Sequence, residues 1–226
     1  MDNAMGKQSE SDKSKVVVVD DHAIVRQGLA ELINDQPDLI ACGEADSPAA
    51  AMKVIAETQP DVAVVDITLA QGDGVELCRQ LHERWPALAI LVLSMHDESL
   101  YAERVLRAGA MGYVMKQEPQ ETVMAAIRRV LKGETYLSDK MASKLLRSFR
   151  GSRGSDAPPL ERLSDRELQI FRLIGEGRNV KDIAEALFLS PKTIETHKEH
   201  IKQKLNLESS NDLLRYAIEA RVSDKR

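Results

Sequence analysis

Apolar residues in this chain follow two rhythms. Up to about residue 136, short continuous apolar runs alternate with segments whose apolar positions recur every three to four residues. Beyond residue 160 only the second rhythm remains. The runs Val16 to Val19, Leu39 to Ala45, Asp61 to Ile67, Leu88 to Leu93 and Gly112 to Met115 read as strands buried on both faces. Helices are predicted between and after them, over 22–34, 49–57, 75–84, 98–108 and 118–132. Val25, Leu29, Leu32 and Ile33 share one face of the first helix, and Met52 and Ile55 turn inward from the second. Trp85-Pro86 stops the third, and Gly109 and Gly133 close the last two. Five alternations of strand and helix predict an α/β fold, a doubly wound five-stranded parallel sheet with helices on both faces.

An all-α domain is predicted to follow. Residues 138–149 form an amphipathic segment with Met141, Leu145 and Phe149 at helical spacing. Residues 150–159 have linker composition and carry Arg150 and Arg153. Ser164 and Glu167 then make a capping box ahead of Leu168, Phe171 and Ile174. Gly175 and Gly177 end that helix, and Asn179 caps the next, over 180–187, with Ile183 and Leu187 inward. Ser190-Pro191 opens a third helix to Leu205, with Ser190 as its cap. Two short helices and a tight turn before a third predict a helix-turn-helix. The last helix, 212–222, carries Leu213, Leu214, Ala217 and Ile218. The expected domains are therefore a disordered tail over 1–14, an α/β domain over 15–136, a helix and linker over 137–159, and an all-α domain over 160–226.

Composition narrows the setting. Net charge is −5, so any nucleic-acid surface must be local rather than chain-wide. Cys42 and Cys78 have no metal spacing and are expected to be small buried hydrophobes in a reducing cytoplasm. No apolar run reaches membrane-spanning length, and residues 1–15 lack the apolar centre of a signal peptide.

The chemistry lies where the predicted strands end. Asp20 and Asp21 follow the first strand, Asp66 the third, Ser94 the fourth and Lys116 the fifth. Parallel strands bring these ends to one edge, where open α/β sheets bind ligands. Three neighbouring carboxylates repel unless a cation joins them. An all-oxygen set suits Mg²⁺, which keeps waters and completes its shell with phosphoryl oxygens. A lysine and a hydroxyl opposite the metal suit the remaining phosphoryl oxygens.

The segments VVVVDD, VVDITL, LVLSMHD and GYVMK resemble the receiver domain of two-component response regulators, over Lys15 to about Tyr136. The resemblance implies Asp66 as phosphoacceptor, with Mg²⁺ held by Asp20, Asp21, Asp66 and the backbone carbonyl of Thr68. It implies Lys116 as the ion partner, Ser94 as the hydroxyl that moves to the phosphoryl group and Tyr113 as the switch aromatic. Ala70 stands where the family has a proline. A haloacid-dehalogenase-like phosphohydrolase would need a second carboxylate where Thr68 stands, so the chain is not expected to be an enzyme. A receiver acting only as a passive dimerisation module is disfavoured by intact Asp66 and Lys116.

In the third helix of the second domain, Ile194, Ile201 and Leu205 form the core stripe. Glu195, Thr196, Glu199 and Gln203 lie opposite and are the candidates for base edges. Lys192, Thr193, Lys198 and Lys202 flank them and suit phosphates. His197, beside the core stripe, is read mainly as a packing residue that touches a phosphate. LSDRELQIFRLIGEG and DIAEALFLSPKTIETHKEHIKQKL resemble the LuxR-type helix-turn-helix, over Leu163 to about Leu207. Receiver plus this module resembles the NarL/FixJ family. The resemblance implies a cytoplasmic, DNA-binding transcription regulator. It is expected to take a phosphoryl group from a histidine kinase, to form a homodimer through its last helix and to bind double-stranded operator DNA.

Overall fold

The five apolar runs assemble into one parallel sheet of order β2-β1-β3-β4-β5. The strands are β1 (Ser14–Val19), β2 (Leu39–Ala45), β3 (Val62–Val65), β4 (Ala89–Ser94) and β5 (Gly112–Met115). The computed structural model describes residues 13–69, 72–95, 98–151 and 159–223. Residues 1–12 of the predicted tail, Ala70 and most of the linker, including Arg153, lie outside these, whereas Ser14, expected in the tail, begins β1 because it pairs with Leu39 of β2. The chain divides into two compact units, Met1–Ser143 and Lys144–Arg226.

Both faces of the sheet are covered, because successive side chains of a strand point to opposite sides. Val16, Val18, Val62, Val64, Leu91 and Val114 form one core with α1 (Ala23–Asn34) and α5 (Gln120–Leu131). The other face carries α2 (Pro48–Thr58), α3 (Gly74–Arg84) and α4 (Glu98–Arg107), each touching the next. Gly43 of β2 allows α2 close: a Cβ there would stand 2.4 Å from Val54 Cγ1. The strand order reverses between β1 and β3, which opens a crevice at their C-terminal ends.

Several boundaries differ from the periodicity. β3 stops at Val65, one residue before Asp66, so the carboxylate leaves the strand rather than belonging to it. His22 is the N-cap of α1, without a side-chain cap bond, instead of its first residue. Val25 is 37% exposed, because it sits on the first turn beyond the reach of the sheet. Cys42 is only half-buried, unlike Cys78. α6 (Asp139–Gly151) runs into the expected linker and includes Arg150. Met141 of α6 is buried.

The second unit contains a 3-10 turn (Pro159–Arg162), α7 (Asp165–Gly175), α8 (Val180–Ala186), α9 (Pro191–Leu205) and α10 (Ser210–Ser223). Each start is capped by the residue its sequence offers. Ser164 and Glu167 close a reciprocal box on α7, Asn179 accepts from Lys181 and Asp182 amides, and Ser190 accepts from the Thr193 amide. Leu168, Phe171, Ile183, Ile194, Ile201 and Leu213 are buried, while Leu205 is only half-buried. α7 and α10 cross closely at Gly175, where a Cβ would lie 2.6 Å from the Ala217 carbonyl oxygen.

Gly74 couples the fold to the crevice. A Cβ on it would stand 2.3 Å from the Asp66 carbonyl oxygen and 2.5 Å from Ile67 Cα, both backbone atoms that cannot step aside alone. Gly74→Ala is expected to destabilise the first unit by about 1–3 kcal/mol, the usual cost of overpacking, measured by urea denaturation. An unchanged midpoint and slope would show that the loop after β3 yields freely.

Candidate functional site

The crevice is positioned by backbone bonds that continue the sheet past its strands. The Asp66 amide donates to the Val19 carbonyl at 2.8 Å, Asp20 to Ala45 at 3.0 Å, and Lys116 to Ser94 at 2.8 Å. These place Asp66 beside Asp20 and bring Lys116 to the end of β4. Lys116 Nζ then donates to Asp20 Oδ2 at 2.5 Å and to Asp66 Oδ2 at 2.7 Å. All three side chains are nearly covered. Asp66 Oδ1 accepts from the Thr68 amide at 3.1 Å, and Asp20 Oδ1 from the His22 amide at 2.9 Å.

Burial pushes the Asp66 carboxyl up to about 6, against the pull of Lys116. Burial also works against the Lys116 charge, but Asp66 and Asp20 together outweigh it and hold the ammonium above its ordinary value. The two directions agree physically: one lysine gains two carboxylates, while each carboxylate shares one lysine.

Oxygens of Asp20, Asp21 and Asp66 and a nitrogen of His22 all lie within 4.8 Å of one another. Three carboxylates face one ammonium, an excess of negative charge that a dication offsets. The donor set is mainly oxygen, so it fits Mg²⁺. His22 Nδ1 stands 2.7 Å from Asp21 Oδ1 and 3.3 Å from Asp20 Oδ1. In the sequence His22 marks only the start of a helix; its place directly after Asp20-Asp21 is the signal for its part in the cluster.

Ser94, the last residue of β4, is fully buried. Tyr113 pairs with Val92 across β5 and β4, and its ring is 1% exposed. Ser94 and Lys116 thus lie at adjacent strand ends, while Tyr113, the second residue of β5, sits further back along the strand on the same face as Ser94.

A second surface lies on α9. Lys192, Glu195, Thr196, Glu199 and Gln203 are exposed, and Thr193 is half-buried. Lys198 pairs with Glu195 at 3.0 Å and Lys202 with Glu199 at 2.8 Å, and both lysine side chains are only 15% exposed. Any phosphate contact from either must compete with its glutamate, which leaves Lys192 as the most accessible cation of the expected set. The Thr196 hydroxyl donates to the Lys192 carbonyl at 3.1 Å, so its methyl and oxygen lone pairs remain for a ligand. The Thr193 hydroxyl lies 2.7 Å from its cap, Ser190 Oγ. His197 turns Nδ1 inward, and burial holds its imidazole below the ordinary pKa. Among the described residues no helix is long and apolar enough to cross a membrane.

Comparison with known proteins matches both units. Residues 16–128 match the response regulator receiver domain, and residues 161–217 match the luxR family of bacterial regulatory proteins. The oxygen regulatory protein NreC of Staphylococcus carnosus is 40% identical over 215 residues, covering 93% of this chain and 99% of that one. A LuxR-family two-component response regulator from Aurantimonas has a solved structure with a TM-score of 0.57 at 32% identity, covering 62% of this chain and 99% of that one. RcsB of Salmonella enterica, solved bound to a promoter with the phosphomimetic BeF3⁻, gives a TM-score of 0.60 at 29% identity, covering 91% of this chain and 98% of that one.

The raised Asp66 carboxyl has a stability consequence in protein stripped of divalent ions. A carboxyl whose folded pKa lies above its unfolded value holds its proton more tightly when folded. Its contribution is therefore complete below about pH 4 and lost as pH rises through about 6. Relative to Asp66→Asn, the parent is expected to lose up to about 3 kcal/mol of stability between pH 4 and pH 7. Urea titrations of both proteins in chelator check this, and parallel pH profiles would contradict it.

Proposed function

Because the chain belongs to the response regulators that join a receiver domain to a LuxR-family DNA-binding domain, we propose that Asp66 takes a phosphoryl group from a histidine kinase. The observation that carries this is Lys116 bridging Asp20 and Asp66 at the ends of the sheet. In the transfer, an Asp66 carboxylate oxygen forms a bond to phosphorus as the phosphorus–nitrogen bond of phosphohistidine breaks. The imidazole keeps that bond's electron pair. Asp20, Asp21, Asp66 and the Thr68 carbonyl would hold Mg²⁺, which supplies charge neutralisation at the phosphoryl oxygens. Lys116 stays against the new acyl phosphate and offsets its added charge. Ser94 donates its hydroxyl to a phosphoryl oxygen, and Tyr113 keeps the space it vacates filled. These shifts change the outer face around α4, β5 and α5.

The receiver spans 15–136 in this reading, and the DNA-binding domain 160–226. The chain acts as a transcription regulator in the cytoplasm, on double-stranded DNA, and not as an enzyme. Dimerisation is supported by α10, where Leu213 and Ala217 are buried while Leu214 and Ile218, one turn apart, are 39% and 43% exposed. Two copies on adjacent half-sites bind better than one.

With acetyl phosphate and Mg²⁺, the parent should gain the mass of one phosphoryl group and Asp66→Asn none. Asp21→Ala should also fail to label. The labelled parent should sediment as a dimer, and one unchanged species with and without phosphodonor would remove phosphorylation-dependent assembly. Equal labelling of parent and Asp66→Asn would remove Asp66 as acceptor.

On DNA, Lys192→Ala should weaken binding to all operator variants alike and flatten the salt slope by about one phosphate. Thr196→Ala should reorder single-base operator variants and leave the salt slope unchanged. Titrations over several salt concentrations distinguish the two. The reverse pattern would mean that α9 meets DNA through another face.

A further inference from the structure

The second unit holds a side-chain cluster apart from the acidic site, and it includes His197, which the sequence offered for a phosphate. Glu167 of α7 meets His197 and His200 of α9, with one carboxylate oxygen and one nitrogen of each ring within 4.8 Å of one another. The two histidines are three residues apart and so share a helix face. Glu167 Oε2 accepts from the Ser164 amide at 2.7 Å and from Lys204 Nζ at 2.6 Å. Both donors use the same oxygen. The other, Oε1, stands 4.0 Å from His200 Nδ1, too far for a hydrogen bond. His197 Nδ1 is buried with no hydrogen-bond partner among the described residues. A buried nitrogen left unsatisfied costs stability and calls for a partner, a water or a bound ion. His200 is 54% exposed and opens the cluster to solvent.

We propose that Glu167, His197 and His200 form a binding site for a transition-metal dication of the zinc class. Two imidazoles and one carboxylate with an open fourth position are an established donor set for zinc. The two nitrogens favour such ions over Mg²⁺, which prefers oxygen. Ligand atoms on a tetrahedral zinc stand about 3.3 Å apart, given bonds of about 2.0–2.1 Å. The cluster therefore closes by at most about 1.5 Å on binding, and exposed His200 has room to make that movement. Lys204 remains on Oε2 and moderates the affinity, so binding is weaker than in closed thiolate sites. The bound ion would tie α9 to the first turn of α7 and so hold the helix expected to read DNA.

The test uses the full chain in excess Mg²⁺, which occupies the oxygen-rich cluster of the first unit. Co²⁺ is the probe, because a four-coordinate site absorbs visible light far more strongly than an octahedral all-oxygen site. The parent should develop that intense band with one equivalent of Co²⁺, and Zn²⁺ should abolish it. His200→Gln, a change at an exposed position, should melt like the parent without metal and bind about a hundredfold more weakly or worse. Asp21→Asn should keep the band. Absence of the band in the parent, its survival in His200→Gln, or its loss in Asp21→Asn would each overturn the site. None of these outcomes depends on whether Asp66 accepts a phosphoryl group.

Discussion

A single ammonium shared by two buried carboxylates is the contact on which the first unit's chemistry rests. Lys116 comes from the end of β5, Asp20 from the end of β1 and Asp66 from the end of β3. Removing the lysine would leave two covered carboxylates facing each other, an arrangement that low dielectric makes costly. The Lys116 ion pairs therefore oppose the charge repulsion that the site requires. The sheet supplies the geometry: the backbone bonds from Asp66 to Val19 and from Lys116 to Ser94 extend the ladder beyond the strands. Excess negative charge remains after the lysine is counted, which makes the cluster receptive to a dication.

The second unit solves a different problem with similar economy of parts. Its short helices start at side-chain caps, which satisfy the free amides that would otherwise face solvent or core. Glu167 serves the cap and also holds Lys204 of α9, so one carboxylate joins the beginning of α7 to the far end of α9. Ile194 and Ile201 are fully buried, which orients α9. Its outward face carries Glu195 and Glu199 beside Lys198 and Lys202, already paired with each other. Such a face has little net attraction for phosphates. Specific contacts, rather than bulk charge, must then supply affinity.

The strand runs, the helix periods and the caps were legible in the sequence because each depends on neighbours within a few residues. The parallel sheet followed from five alternations, and the convergence of Asp20, Asp66, Ser94 and Lys116 at one edge followed from the sheet. Local features were less legible where tertiary packing decides. Val25 fits the helical stripe, yet the sheet ends before reaching it. Cys42 fits a buried strand, yet β2 lies at the edge of the sheet.

What the sequence determined by itself is therefore the order of elements, the two domains' classes and the set of strand-end residues, since periodicity and chain order carry them. Only the tertiary structure decided which of those residues touch. It put one lysine between Asp20 and Asp66, brought His22 into the acidic cluster, and covered Lys198 and Lys202 with their own glutamates. It also placed Glu167 against two histidines thirty or more residues away. No local pattern encodes such meetings, because they depend on how helices cross and on which charges find a partner once water is excluded.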